Sequence, residues 1–135
     1  MYPYPAAKVA ASARLKGLRH AGTMALPNDR KRELEVMLYF IYGRDAPESL
    51  DKRLKVRARH LERVQALLEQ GRLRSAGPLP AIDSLDPGPA GFVGSLILAD
   101  FPSLQAAEAW AKSDPYIESG AWAEVHVHPY KEILP

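Results

Sequence analysis

The sequence predicts an α+β fold, because the periodicity of its apolar residues changes several times between that of strands and that of helices. Four segments are short apolar or alternating runs, and two longer segments repeat apolar residues at helical spacing. In sequence order these elements are β-α-β-β-α-β. With 135 residues, the chain has the length of one ordinary domain and can bury a core without disulfides.

The first strand and first helix are predicted from residues 36–71. Val36–Tyr42 is a continuous apolar, β-branched and aromatic run, which is typical of a buried strand, and we expect Gly43 to end it. Asp45 and Ser49 are candidate helix N-caps. A helix is then predicted from Ser49 to Gln70, where Gly71 stops it.

One face of this helix is predicted to lie on the sheet. At 100° per residue, a single apolar stripe forms, whose members are Leu54, Ala58, Leu61, Val64 and Leu68. The helix is therefore expected to be amphipathic.

The second half of the chain supplies the remaining elements. An extended segment runs from Leu73 to Pro78, and Pro78 and Pro80 favour an edge position for it. Further strands are predicted over Phe92–Ala99 and Trp122–His128. Between them, Ser103 caps a helix that runs to about Lys112, and Asp114-Pro115 ends it because the residue before proline disfavours helical geometry.

This order is the split βαβ, or ferredoxin-like, arrangement, in which both helices cover one face of an antiparallel sheet. The first strand has too many apolar and aromatic residues for its other face to be left in water. A second copy of the chain would cover that face, so we expect a homodimer.

Residues 1–36 differ from the rest and are expected to form an extension outside the domain at 37–135. They contain 7 Lys/Arg and 3 Asp/Glu, with no acid before Asp29. One interpretation is a disordered tail or a start upstream of the true start at Met37. The other is a targeting segment, which acid-poor basic sequences resemble.

Composition excludes several classes of function. The chain has no cysteine, which rules out disulfides and thiolate chemistry, and we expect a cytoplasmic protein. Its apolar runs are far shorter than the roughly 20 residues needed to span a bilayer. The sequence has no nucleotide-binding glycine loop, and residues 37–135 have no excess of basic residues. We therefore expect no cofactor, no membrane partner and no nucleic-acid partner.

His60 and Asp114 are the candidate catalytic residues. His60 falls within the apolar arc of the first helix, so it faces the sheet or a cleft, either as a core histidine or as a proton-transfer group. Asp114 has a local interpretation, shaping the Asp-Pro turn. Alternatively, it accepts a hydrogen bond from His60 and fixes the tautomer of the ring.

Other residues are candidates for binding a small molecule. Arg53, Arg57 and His60 share one face of the helix, and an arginine there is either a clamp for an anion or a partner in an ion pair. Gly77, Pro78 and Ser95 are candidate borders of a pocket. The triplet Glu124-x-His126-x-His128 raises a metal hypothesis, but alternation already explains it as the polar face of a strand, so no metal site is expected.

Met37–Leu134 resembles the YciI-like (YCII-related) family. The resemblance rests on short motifs in order along the segment, which are Met37-Leu-Tyr-Phe-Ile-Tyr42, Lys52-Arg-Leu-x-Val-Arg57, His60-Leu61, Gly71-Arg-Leu73, Ala76-Gly-Pro78, Asp86-Pro87, Gly91-Phe92, Gly94-Ser95, Ala109-Trp110 and Asp114-Pro-Tyr116. No single motif is specific, but together they cover about three-quarters of the chain.

The resemblance implies a dimeric α+β barrel and an active site with a His-Asp pair, which falls on His60 and Asp114. The family is related to muconolactone-isomerase-like proteins, and one branch looks like dehalogenases. We therefore expect acid–base chemistry, such as isomerisation or elimination, on a small anionic molecule. A non-catalytic binding or assembly module and an accessory subunit of a larger enzyme stay open as alternatives.

Overall fold

The computed structural model describes residues 36–135, so the predictions for the N-terminal extension lie outside the described residues except at residue 36. The elements, in chain order, are β1 (Leu38–Asp45), α1 (Leu50–Glu69), β2 (Leu73–Pro80), a 3₁₀ turn (Gly88–Ala90), β3 (Phe92–Asp100), α2 (Leu104–Lys112), α3 (Pro115–Glu118) and β4 (Trp122–Tyr130). The predicted β-α-β-β-α-β order is confirmed, with one additional short helix.

The four strands form one sheet in the order β2-β3-β1-β4. β1 pairs antiparallel with both β3 and β4, and β2 pairs antiparallel with β3. β2 is thus an edge strand, as its prolines predict. This is the strand order of the ferredoxin-like fold.

Gly43 does not end the first strand, and that prediction was wrong. β1 continues through Gly43 to Asp45, and the glycine is needed there for packing. A Cβ at this position would lie 2.2 Å from the indole ring of Trp122. Glycine therefore allows Trp122 to pack directly on the β1 backbone.

The sheet-facing side of α1 differs from the predicted apolar stripe. Leu54 is 47% exposed and Ala58 is also exposed, so both were wrongly assigned to the buried face. The residues buried on α1 are Arg53, His60, Val64, Leu67 and Leu68. Two of these five are polar. The burial of His60 was predicted from its position within the apolar arc, whereas apolar periodicity gave no signal for Arg53.

α2 and α3 close the core over one sheet face. The Ser103 hydroxyl accepts a hydrogen bond from the Ala106 amide at 3.0 Å, so the predicted cap of α2 is confirmed. Asp114 has a second role that the sequence prediction missed. It follows the end of α2 and also caps α3, where its carboxylate accepts a hydrogen bond from the Tyr116 amide at 2.9 Å.

The opposite sheet face carries alternating residues of the central strands. Ile41 and Ile97 point into the helix-covered core, so their neighbours in sequence project to the other side. There, Tyr42 pairs with Leu96 and Phe40 with Leu98, and all four are half-buried. This open face is where a second copy is predicted to pack. Among the described residues, no helix has the length and apolarity needed to cross a bilayer.

Gly43→Ala should destabilise the fold by about 1–3 kcal/mol, because the new methyl group would displace Trp122 from a packed core. Gly77→Ala is the matched control. A Cβ at Gly77 meets no atom within 4 Å, and we expect a change within about 0.5 kcal/mol. Urea unfolding of the two variants measures the difference, and equal stabilities would contradict this role for Gly43.

Candidate functional site

His60 and Asp114 are joined by a buried hydrogen bond. The Nδ1 atom of His60 lies 2.9 Å from each carboxylate oxygen of Asp114. His60 is 4% exposed and Asp114 is 1% exposed. The hydrogen bond predicted from the sequence is therefore confirmed, and an ionised Asp114 requires the proton to be on Nδ1.

Asp114 is held by more than His60. Besides the Tyr116 amide, Arg63 donates to its carboxylate at 3.0 Å. Arg63 also donates to the Trp110 carbonyl at 2.7 Å and lies over the Trp110 ring. This arginine balances the charge of Asp114 and helps to fix its orientation.

Two aromatic rings surround the His60 imidazole. The Tyr116 ring stacks on it with centroids 4.0 Å apart and an angle of 15° between planes. The Trp122 ring approaches edge-on at 5.7 Å. Within residues 36–135 no group hydrogen-bonds to Nε2 of His60. Of the two ring nitrogens, only Nδ1 is therefore hydrogen-bonded by a side chain of the described residues.

A second buried polar cluster lies two helical turns before His60. Arg53, which is fully buried, donates to the two carboxylate oxygens of Asp45 at 2.6 and 2.8 Å. It also donates to the Gly94 carbonyl and the Ser95 hydroxyl, both at 2.8 Å. The Ser49 hydroxyl donates to the same carboxylate of Asp45. The bidentate geometry suits arginine and not lysine.

Tyr116 connects the two polar clusters. Its ring stacks on His60 and lies 5.0 Å from the guanidinium carbon of Arg53. Seven residues of α-helix rise about 10.5 Å, so a ring in contact with both side chains lies between them. The sequence resemblance covered Tyr116, but nothing in its periodicity indicated this position.

The structure brings together some of the predicted site residues and separates others. Ser95 belongs to the Arg53 cluster, and Pro78 is its strand partner on β2. Arg57 is half-buried on α1 between Arg53 and His60. Gly77 pairs with Leu96 on β3, and no atom lies within 4 Å of the position that a Cβ would occupy there. Gly77 therefore lies apart from the His60 pair.

Asp45, Arg63 and Tyr116 were missed as site residues. Asp45 was interpreted only as a helix cap, but it belongs to β1, and Ser49 occupies the N-cap position without making a side-chain cap. A signal was available for Arg63, because it lies three residues after His60 on the same side of the helix. No local signal was available for Asp45, because its contact with Arg53 depends on how α1 packs on β1.

Glu124 is bonded to both Arg44 and His126, its neighbours on the sheet. Arg44 donates to Glu124 at 2.9 Å, and His126 lies 3.1 Å from the same carboxylate. Hydrogen bonds lower the pKa of Glu124 to about 2, and the bond from Arg44 has a larger effect than the bond from His126. Across the described range, no three His, Cys, Asp or Glu side chains converge as metal ligands do.

A cavity of 460 Å³ opens near the amino end of α1. It is lined by the end of β1, the turn before α1 and the segment that leads into β3, with Asp45 and Ser49 among the lining residues. His60 and Asp114 do not line it. The described residues therefore present a nearly closed His-Asp pair and, two helical turns away, an open cavity beside a second polar cluster.

The strand order and the contacts of α1 define a ferredoxin-like α+β protein with a buried, hydrogen-bonded His-Asp pair. Residues 37–131 match the model of the YCII-related domain. The chain is 55% identical over 98 residues to Protein YciI of Escherichia coli O6:H1, covering 73% of this chain and 100% of that protein. It is 50% identical over 98 residues to an uncharacterized protein of Haemophilus influenzae, with the same coverage. The chain belongs to the YciI-like, YCII-related family.

A solved structure of known activity is similar in fold. It is 5-chloro-2-hydroxyhydroquinone dehydrochlorinase (TftG) from Burkholderia phenoliruptrix, in complex with 2,5-dihydroxybenzoquinone. The match has a TM-score of 0.62 and 25% identity, and it covers 70% of this chain and 94% of the other. The neighbour places a small-molecule enzyme on this fold.

Arg53→Met should cost about 3–5 kcal/mol of stability, because it leaves the Asp45 carboxylate buried without its cation. Arg74→Met is the control, since Arg74 is 57% exposed in its pair with Glu132, and we expect a change within about 0.5 kcal/mol. Chemical denaturation of both variants makes the comparison. Equal, small losses would show that the Arg53 cluster contributes no more than a surface pair.

Proposed function

We propose that this protein acts on a small anionic molecule by acid–base chemistry, with His60 as the proton-transfer group and Asp114 as its orienting partner. The observation that carries the proposal is the buried hydrogen bond between Nδ1 and Asp114, which leaves Nε2 as the free base. A positioned histidine of this kind contributes about 10²–10⁴ to a rate.

The arrangement supports elimination and isomerisation. In an elimination, Nε2 takes a proton from the substrate, the released electron pair forms a new double bond, and the leaving group departs with its own pair. In an isomerisation, the proton returns to another carbon. Asp114 stabilises the imidazolium in both cases.

Arg57 is the cation that we assign to the anionic substrate. It is half-buried and lies three residues from His60 on the same helix, within reach of a molecule beside the imidazole. Arg53, already bonded to Asp45, is assigned a positioning role through Tyr116. Ser95 supports Arg53 from the sheet by accepting its hydrogen bond, and its strand partner Pro78 lies beside it on β2. Gly77 is given no role at this site.

The structural neighbour supports this choice of chemistry. Its name describes removal of hydrogen chloride from a hydroxylated ring, a reaction that needs a base and a departing anion. Family relationship and fold make a dehydrochlorinase-like or isomerase-like reaction the favoured class for this chain.

A specific observation favours a second candidate, a non-catalytic binding or assembly module. His60 is 4% exposed, and Asp114 also satisfies the start of α3 and Arg63. A pair whose task is to lock α1 to α3 would have these properties. A substrate must therefore reach Nε2 through a narrow opening or after a side-chain movement.

We also propose that the protein is a homodimer through the open sheet face. Phe40, Tyr42, Leu96 and Leu98 are half-buried there, and a second sheet stacked on them would remove their remaining apolar surface from water.

His60→Gln should lower elimination of chloride from 5-chloro-2-hydroxyhydroquinone by about 10²–10⁴-fold, because glutamine cannot act as a base at neutral pH. Asp114→Asn should lower it as well, since the amide cannot stabilise an imidazolium. His128→Gln is the matched control, because His128 is exposed on β4. Chloride release measures all three.

The rival candidate predicts a different result for the same variants. If the pair is structural, the wild-type protein should bind 2,5-dihydroxybenzoquinone, as measured by calorimetry, but should not release chloride from 5-chloro-2-hydroxyhydroquinone. Asp114→Asn should then mainly lower stability, by about 1–3 kcal/mol. That outcome would reject the catalytic proposal.

Leu98→Asp should shift the protein from dimer to monomer in sedimentation velocity at micromolar concentration, because it buries an unpaired charge in the proposed interface. Leu54→Asp is the control, since Leu54 is exposed on α1, away from the sheet. A wild-type protein that sediments as a monomer would contradict the homodimer.

A further inference from the structure

The cavity near the amino end of α1 has the composition of a ligand site separate from His60. Its volume of 460 Å³ falls within the range of about 300–1,000 Å³ that small-molecule sites occupy. Such sites are mostly apolar, with a few polar groups that orient the ligand.

The buried polar groups of the cavity are a carboxylate and a hydroxyl, and the exposed Arg44 and Glu48 also line it. The Asp45 side chain is 2% exposed, Ser49 is 5% exposed, and both line the cavity. A carboxylate offers about four acceptor positions. Within residues 36–135, Asp45 uses three of them, two for Arg53 and one for Ser49. One acceptor position remains for a hydrogen-bond donor.

The charges around the cavity favour an uncharged ligand. Arg53 already balances Asp45 from behind, so a bound cation would add an uncompensated charge. A bound anion would meet the carboxylates of Asp45 and Glu48, and the lining Arg44 is itself paired with Glu124. A neutral hydroxyl donor suits this field, because it gains a charge-assisted hydrogen bond without bringing a new charge.

The remaining walls are apolar and partly aromatic. They include Tyr42, Pro47, Leu50, Pro89 and Phe92. Flat aromatic and proline surfaces pack well against a flat ring. The flat walls and the single acceptor position together favour a ligand with a flat ring that carries at least one hydroxyl group.

We propose that this cavity binds an uncharged hydroxylated aromatic ring of the phenol or hydroquinone class, whose hydroxyl donates a hydrogen bond to Asp45. The site goes beyond the proposed function, because it does not involve His60 or Asp114. It is a second binding site, where the end of β1, the turn before α1 and the segment that leads into β3 meet.

A titration of the full chain with hydroquinone under nitrogen tests the proposal. Backbone amides in the turn before α1 and in the segment entering β3 should shift in ¹H–¹⁵N spectra and should saturate. The dimethyl ether of hydroquinone has the same ring without a donor, and it should bind at least tenfold more weakly. Equal binding of the two compounds, shifts confined to the surroundings of His60, or no saturation at millimolar hydroquinone would each overturn the proposal.

Two tryptophan variants locate the site without touching the buried ion pair. Ala90 is exposed and lines the cavity, so Ala90→Trp should weaken hydroquinone binding at least tenfold by filling the space. Ala66 is exposed on α1 and does not line the cavity, and Ala66→Trp should bind as wild type. His60→Gln should also bind as wild type. Undiminished binding by a folded Ala90→Trp protein would reject this cavity as the site.

Discussion

The ring of Tyr116 lies between the imidazole of His60 and the guanidinium of Arg53, and the rest of the site depends on this contact. Tyr116 is fully buried and belongs to the short helix that Asp114 caps. One ring thus packs against two polar side chains of α1, and Asp114 caps the short helix that carries this ring. Displacing the ring would disturb both polar clusters at once.

Burying two polar clusters beneath α1 costs desolvation energy that the surroundings must offset. The desolvation cost of Arg53 is offset by its hydrogen bonds to Asp45, the Gly94 carbonyl and Ser95. The desolvation cost of Asp114 is offset by its contacts with His60, Arg63 and the Tyr116 amide. Each ion is multiply hydrogen-bonded, which is the condition under which buried charges are tolerated. The result is a preorganised pair in which the imidazole has little freedom to rotate, as a proton-transfer group requires.

The sequence predicted more of the fold than of the site. Strand and helix order followed from apolar periodicity, and the His60–Asp114 contact followed from a histidine in an apolar arc together with a family resemblance. Asp45 could not be found in this way, because its partner Arg53 lies eight residues away and the contact depends on how α1 packs on β1. The extension of β1 through Gly43 depends likewise on Trp122, a residue from the other end of the chain. Such long-range contacts are set by tertiary packing and have no local pattern.

The central claim is that Asp114 holds His60 in the tautomer with the proton on Nδ1, leaving Nε2 as a base. Nitrogen-15 NMR of the imidazole, at a pH where the ring is neutral, tests it directly, because protonated and unprotonated ring nitrogens have distinct chemical shifts. The account predicts a protonated Nδ1 and an unprotonated Nε2 for His60 in the wild-type protein. A proton on Nε2, or rapid averaging of the two tautomers, would contradict it.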